Sequence, residues 1–144
     1  MAKGASISGF PEWLPSERVV EQRVIDTLRK VFELNGFIGI ETRAVETGAS
    51  LLKKGETSKE IYLLSRLQEV GHESDTPIEE RLGLHFDLTV PLSRYVVEHS
   101  GALAFPFKRW QIQKVWRGER PQEGRFREFV QDDIDVIGAG DLPD

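Results

Sequence analysis

The 144-residue chain contains no cysteine, one methionine and three histidines. Without cysteine there is neither a disulfide framework nor a thiolate metal site. His72, His85 and His99 lack the close spacing of a zinc motif, so a metal held by protein ligands alone is not expected. No apolar run approaches the roughly 18 residues of a membrane span, and MAKGASISGF lacks the apolar core of a signal peptide. The expected location is the cytoplasm. Also missing are a P-loop, a complete dinucleotide fingerprint, internal repeats and low-complexity segments.

Charge of one sign is scarce locally rather than overall. The net charge is −5, which argues against a protein built to coat nucleic acid. Residues 56 to 87 hold eight carboxylates against Lys59, Arg66 and Arg81, whereas residues 101 to 128 hold seven basic groups against three acidic ones. A basic stretch inside an acidic chain suggests one site that handles an anion.

A hydrophobic content of 39% and a charged content of 30% suit one soluble globular domain with a real core. Pro15-Ser16 reads as a helix start, and Val20, Val24, Ile25, Leu28, Val31 and Phe32 recur at helical spacing until Asn35-Gly36. FIGIETRAVET (37–47) reads as a strand, and IYLLSRL (61–67) and LGLHF (82–86) as two more across an acidic loop. Val90-Pro91 opens a short helix to about His99. FKRWQIQKVWRG and EFVQDDIDVIG form a last strand pair. One long helix followed mostly by strands predicts an α+β fold on an antiparallel β-sheet flanked by helices.

The connection within that last pair, RGERPQEGRFREF (117–129), packs four arginines into thirteen positions. Turns need Gly, Pro, Asn and Asp for backbone reasons, and arginine serves none of them. Arg117, Arg120, Arg125 and Arg127 can present planar forks to phosphate oxygens. Strand alternation puts Gln131, Asp133 and Asp135 on one side of their strand, and Gln111, Gln113, Val115 and Arg117 on one side of its neighbour. A solvated sheet face accounts for such polarity equally well. The arginine loop beside it favours an anion site next to a cation site. Trp110 and Trp116 read as core rather than as a base-stacking platform.

Arg117-Gly118-Glu119-Arg120-Pro121, with Gly124-Arg125-Phe126-Arg127-Glu128-Phe129 and Gln131, resembles motif 2 of the class II aminoacyl-tRNA synthetases in the form used by the histidyl-tRNA synthetase family. Residues 16–47 resemble motif 1, and Phe86-Asp87-Leu88-Thr89-Val90-Pro91 resembles the family's amino-acid-binding segment. The likeness runs from about Gly9 to Gly138, with motif 2 at about 107–138. The Gly-Arg-rich motif 3 and an anticodon-binding domain have no counterpart in these residues, so the resemblance implies an N-terminal portion of a catalytic domain, inactive or nearly so alone.

The resemblance further implies site residues and partners. Arg117 would be catalytic, binding the ATP α-phosphate and the histidine carboxylate. Glu119 would contact adenine and Arg125 the far phosphates, with Mg2+ carried alongside ATP. Asp87, Thr89, Gln131 and Asp135 would bind histidine with Arg117. Arg120, Gln122 and Arg127 would approach the acceptor end of tRNA, and motif 1 would join two copies into a homodimer. Thr89 is also suited to capping the helix at 90. His85 stands where the family commonly has Arg, and Asp87 and Asp135 where many bacterial members have Glu. The alternative is the catalytically inert, synthetase-like regulatory subunit of ATP phosphoribosyltransferase, which binds histidine. A sensor has no use for the triphosphate set of Arg117, Glu119 and Arg125. A generic RNA-binding module lacks any supporting fingerprint.

Overall fold

A computed structural model of the protein describes residues 6–53, 59–69 and 75–138. The helix expected from Pro15 forms as α1, Pro15–Leu34. Pro15 occupies the first turn, where no amide donor is needed, and the Glu17 carboxylate accepts the Leu14 N–H at 2.9 Å. Gly36, at φ 76°, ends it, and Asn35 Nδ2 donates to the Val31 carbonyl at 2.7 Å. The periodic stripe does not make α1 a core helix, however. None of its residues is buried, and Val20, Val24 and Val31 are 59%, 53% and 48% exposed. The Ile25, Leu28 and Phe32 side, which is half-buried, lies toward the sheet, Val24 borders a cavity there, and Val20 and Val31 face outward.

The single strand expected over 37–47 divides into β1, Ile38–Gly39, and β2, Val45–Thr47. Side chains take over where the ladder stops. Gln113 Nε2 donates to the Thr42 carbonyl at 2.6 Å, its Oε1 accepts the Thr42 N–H at 3.3 Å, and Gln111 Nε2 donates to Thr42 Oγ1 at 2.9 Å. These bonds satisfy Thr42 without a neighbouring strand, and the chain passes from one sheet to another.

A short helix that the pattern did not suggest, α2 (Gly48–Leu52), follows directly, capped by Thr47 Oγ1 accepting from the Ser50 N–H at 3.3 Å. The strand expected over 61–67 reduces to a bridge between Leu63 and Gly83, and the chain then turns through a 3-10 segment at Leu67–Glu69. Residues 70–74 of the acidic loop, His72 included, lie outside the described residues. Strand β3, Leu82–Leu84, pairs antiparallel with β2, and α3, Thr89–His99, matches the expected helix.

The long hairpin of β4, Phe107–Trp116, and β5, Glu128–Ile137, is the main body. It is antiparallel throughout, while β1 joins the other edge of β4 in parallel. The long stretch between β1 and β4 supplies the crossover that parallel pairing requires. The fold is therefore α+β as expected, with a mixed three-stranded sheet (β1-β4-β5) and a smaller antiparallel pair (β2-β3).

Leu51, Phe86, Leu88, Leu92, Phe107 and Val115 form the apolar core. Polar groups lie beside them: Glu46 is 1% exposed, and Arg94 Nε donates to both its oxygens, at 2.8 and 3.0 Å. That pair ties β2 to α3. Trp110 and Trp116 are half-buried packing groups, one lying against Gly39, the other donating its Nε1–H to Glu128 at 2.8 Å.

At buried Gly48 a Cβ would come within 1.9 Å of the Ile78 carbonyl oxygen, a backbone atom that cannot rotate away. Gly48→Ala is therefore expected to destabilise the chain by about 1–3 kcal/mol, the usual overpacking cost, lowering the urea midpoint with an unchanged slope. An unaltered midpoint would show that the 78–79 backbone yields freely.

Candidate active site

One face of the β4–β5 hairpin carries the polar row expected from strand alternation. The register sets Arg109 against Asp135, Gln111 against Asp133, Gln113 against Gln131 and Val115 against Phe129. Arg117 continues this side just past β4. Its Nε donates to the Phe86 carbonyl at 3.1 Å and its Nη2 to Gln131 Oε1 at 3.2 Å, and the guanidinium lies over the Phe129 ring at 5.0 Å. Three anchors thus fix a fork that still borders open space. A stacked and hydrogen-bonded arginine loses little entropy when it takes up an anion.

Between the strands the arginine loop closes on itself. Arg117 N donates to the Arg127 carbonyl at 2.8 Å, and Gln122 and Arg125 exchange backbone hydrogen bonds at 3.2 and 2.9 Å. Gly124, at φ 73°, makes the tip turn possible. Together Arg117, Glu119, Gly124, Arg125, Phe126 and Phe129 line a cavity of about 410 Å3. Two guanidiniums, a carboxylate and an aromatic floor therefore surround one space. Arg120 and Gln122 are exposed on the loop. Arg127 Nε donates to the Glu119 carbonyl at 3.0 Å and its stem packs on Gly9, where a Cβ would meet Cγ at 2.8 Å.

The amide and carboxylate row adjoins this cavity through Arg117. Gln131 Nε2 donates to both oxygens of Asp133, at 3.2 and 3.1 Å. Asp87 is 3% exposed, and its Oδ1 accepts the Val90 N–H at 3.2 Å, so this carboxylate caps α3. Thr89, exposed at the first position of α3, lines a different cavity of about 520 Å3 with Ser50, Lys53, Ser93 and Arg94. His85 is fully buried beside the edge of β4 that faces away from β5: its Nε2 donates to the Lys114 carbonyl at 2.7 Å, its carbonyl accepts the Trp116 N–H at 3.1 Å, and its ring lies 5.5 Å from Trp116.

Sequence reasoning overlooked Arg109 and Phe129. Arg109 is completely buried, with Nη2 2.5 Å from Asp135 Oδ2 and 3.9 Å from Asp133 Oδ2, and Nη1 donating to the Asp133 carbonyl at 3.3 Å. Burial pushes its pKa down, opposed by Asp135, Asp133 and Asp132. Each overlooked residue sits two positions from a residue of the polar row, so carrying the alternation one step further would have found it. On the reverse face, burial raises the Asp132 pKa, and the hydrogen bond from Lys114 lowers that of Glu128. Asp132 and Glu128 line a third cavity, of about 690 Å3, between α1 and the sheet.

Among the described residues no three His, Asp or Glu side chains cluster as metal ligands, and no helix is long and apolar enough to cross a membrane.

No protein-family model matches the chain. Over its whole length it is 99% identical to the histidine–tRNA ligase of Bifidobacterium longum (strain NCC 2705), of which it spans 31%. It is 64% identical over 149 aligned residues, 99% of the chain, to the histidine–tRNA ligase of Micrococcus luteus, of which it spans 32%. The chain thus spans about a third of the length of the curated relatives it matches. Among solved structures it is similar to histidyl-tRNA synthetase from Nostoc sp. PCC 7120, with 44% identity, TM-score 0.79, 98% of this chain and 30% of that one. An ATP phosphoribosyltransferase regulatory subunit/histidyl-tRNA synthetase from Bacillus halodurans C shares the fold at 21% identity and TM-score 0.77, covering 97% of this chain and 34% of that one.

Proposed function

The chain belongs to the histidine–tRNA ligase family, and on that premise we propose that it supplies the ATP- and histidine-binding part of a ligase that forms histidyl-adenylate and transfers the histidyl group to tRNA. The observation that carries the reading is the joining of two sites at Arg117: a cavity with Arg125 and Glu119 on one side, and the Gln131, Asp133 and Asp135 row on the other. ATP and histidine have to meet at the α-phosphorus, and a shared arginine is suited to that junction.

The histidine carboxylate attacks the α-phosphorus, an acyl–phosphate bond forms and pyrophosphate leaves. No general base is required, because a carboxylate with a pKa of about 3.5 is already ionised at neutral pH. Arg117 binds the histidine carboxylate and the α-phosphate, and matches the charge that grows on the phosphate oxygens. Arg125 takes the far phosphates and Glu119 contacts adenine. Mg2+ would be held mainly by the phosphates, since the described residues offer no three-carboxylate cage.

Asp87, Thr89, Gln131 and Asp135 are the proposed histidine contacts, and Arg120, Gln122 and Arg127 the proposed approach to the tRNA acceptor end. In domain terms residues 16–47 and 107–138 act as motifs 1 and 2. The outward apolar residues Val20 and Val31 on α1 support a homodimer through the first of these. The functional reading as a whole is tested by histidine-dependent ATP–pyrophosphate exchange in a full-length ligase that carries this stretch, and lack of exchange would contradict it. A histidine sensor would bind histidine and give no exchange.

Asp135→Asn is expected to weaken histidine binding by about 1–3 kcal/mol, the range for one lost charge-assisted hydrogen bond, while changing ATP binding far less. Separate calorimetric titrations measure the two. Equal losses would remove Asp135 from the histidine pocket.

A further inference from the structure

Position 109 is the one fully buried charge on the active face of β4. A buried guanidinium is tolerated only where carboxylates match it, and here the β4–β5 register delivers them: Asp135 directly opposite, Asp133 one step along the same face. The pair is asymmetric. Arg109 is 0% exposed, whereas the side chains of Asp133 and Asp135 are 25% and 44% exposed, so the carboxylates lead from a buried cation out to the surface of the site. The 2.5 Å contact is an ion pair whose N–H is not aligned as a hydrogen bond, and Nε has no partner among the described residues. Core packing alone does not account for such a group, since an aliphatic side chain would fill the space without the desolvation cost.

We propose that Arg109 is the positioning residue of the histidine pocket, holding Asp135 Oδ2 so that the other carboxylate oxygen stays fixed to accept an imidazole N–H of the substrate. An ionised carboxylate is acceptor-only, so the device selects a side chain that offers an N–H donor at that point. Asp133 is held on the same row, by Gln131 through its carboxylate and by Arg109 through its carbonyl. The proposal rests on the reading of Asp135 as a residue that faces histidine.

The test is steady-state pyrophosphate exchange by a full-length ligase carrying this stretch, with histidine and ATP varied separately. Arg109→Met is expected to raise the histidine KM about 10- to 100-fold while the ATP KM stays within about twofold and kcat within about threefold, because a lost carboxylate anchor acts on one ligand only. Arg109→Lys, which keeps the charge but loses the planar fork, is expected to raise the histidine KM about three- to tenfold. Added to Asp135→Asn, Arg109→Met should cost less than about a further threefold, since both act through one contact. Parallel rises in the histidine and ATP KM values, or full additivity with Asp135→Asn, would overturn the proposal and leave Arg109 a purely structural group. If Asp135→Asn raises the histidine KM and the Arg109 variants do not, the positioning role fails alone. If Asp135→Asn itself has no effect on histidine, the reading of the pocket fails and the proposal with it. Should Arg109→Met not fold, Arg109→Lys decides the question by the same split between the two KM values.

Discussion

Residues 1–144 alone are expected to catalyse histidine-dependent ATP–pyrophosphate exchange at least about 10³-fold more slowly than a full-length ligase that carries them, because positioning groups and water exclusion both contribute several kcal/mol. The chain spans about a third of its relatives' length, and the lining of the proposed nucleotide cavity comes from the arginine loop and the adjoining start of β5. Glu119 and Arg125 are exposed, so phosphate charge bound there is shared with solvent and screened. Arg117 is fixed by Phe86, Gln131 and Phe129, all within this chain, and can meet an anion without help. Weak ligand binding with little chemistry is the expected combination. The outward apolar residues of α1 predict that the same sample self-associates, which light scattering measures alongside the exchange rate. Exchange near the full-length rate would show that the 144 residues hold a sufficient catalytic site.

Arg117→Ala in the full-length ligase is expected to lower the exchange rate by at least about 10²-fold, equivalent to about 2.7 kcal/mol, the scale for removing one preorganised donor from a developing charge. The structural reason is that Arg117 is not a flexible surface cation. Its Nε bond to the Phe86 carbonyl orients the fork, its Nη2 bond to Gln131 ties it to the amino-acid row, and Phe129 supports its plane. Substitution removes the charge from the junction of both sites and frees Gln131 from one of its two partners. The loss should fall mainly on kcat, because the charge that Arg117 answers is largest in the transition state. Arg117→Lys should recover little, since a point charge cannot reproduce the three anchors of a planar fork. An exchange rate unchanged by Arg117→Ala would remove the arginine loop from the phosphate site.

Much of this could be read from residues, and the exceptions have physical causes. The hairpin of 107–116 and 128–137 was legible because strict alternation separates Gln111, Gln113, Gln131, Asp133 and Asp135 from the opposite side, and the register leaves every one of them on the expected face. Helix α1 was legible for its ends and undecided for its burial: helical periodicity says which residues share a stripe, not whether this chain covers that stripe. The break between β1 and β2 was invisible because it depends on Gln111 and Gln113 reaching Thr42 from about seventy residues away, which no local pattern encodes. The 61–67 segment has strand composition, yet only Leu63 pairs, since propensity reports fitness for a pleated surface and not the presence of a neighbouring strand. Arg109 was passed over for a simpler reason. Long cations are read by default as surface groups, and only the register, which brings Asp135 opposite, makes its burial intelligible.

The most direct measurement is the crystal structure of a full-length ligase carrying this stretch, bound to a non-hydrolysable histidyl-adenylate analogue. The account predicts the group that replaces the α-phosphate within hydrogen-bond distance of Arg117, adenine and ribose in the cavity of Glu119, Arg125 and Phe129, and the imidazole against Gln131 and Asp135 with Arg109 behind. An analogue bound between α1 and the sheet, with the Arg117 fork left facing solvent, would contradict it.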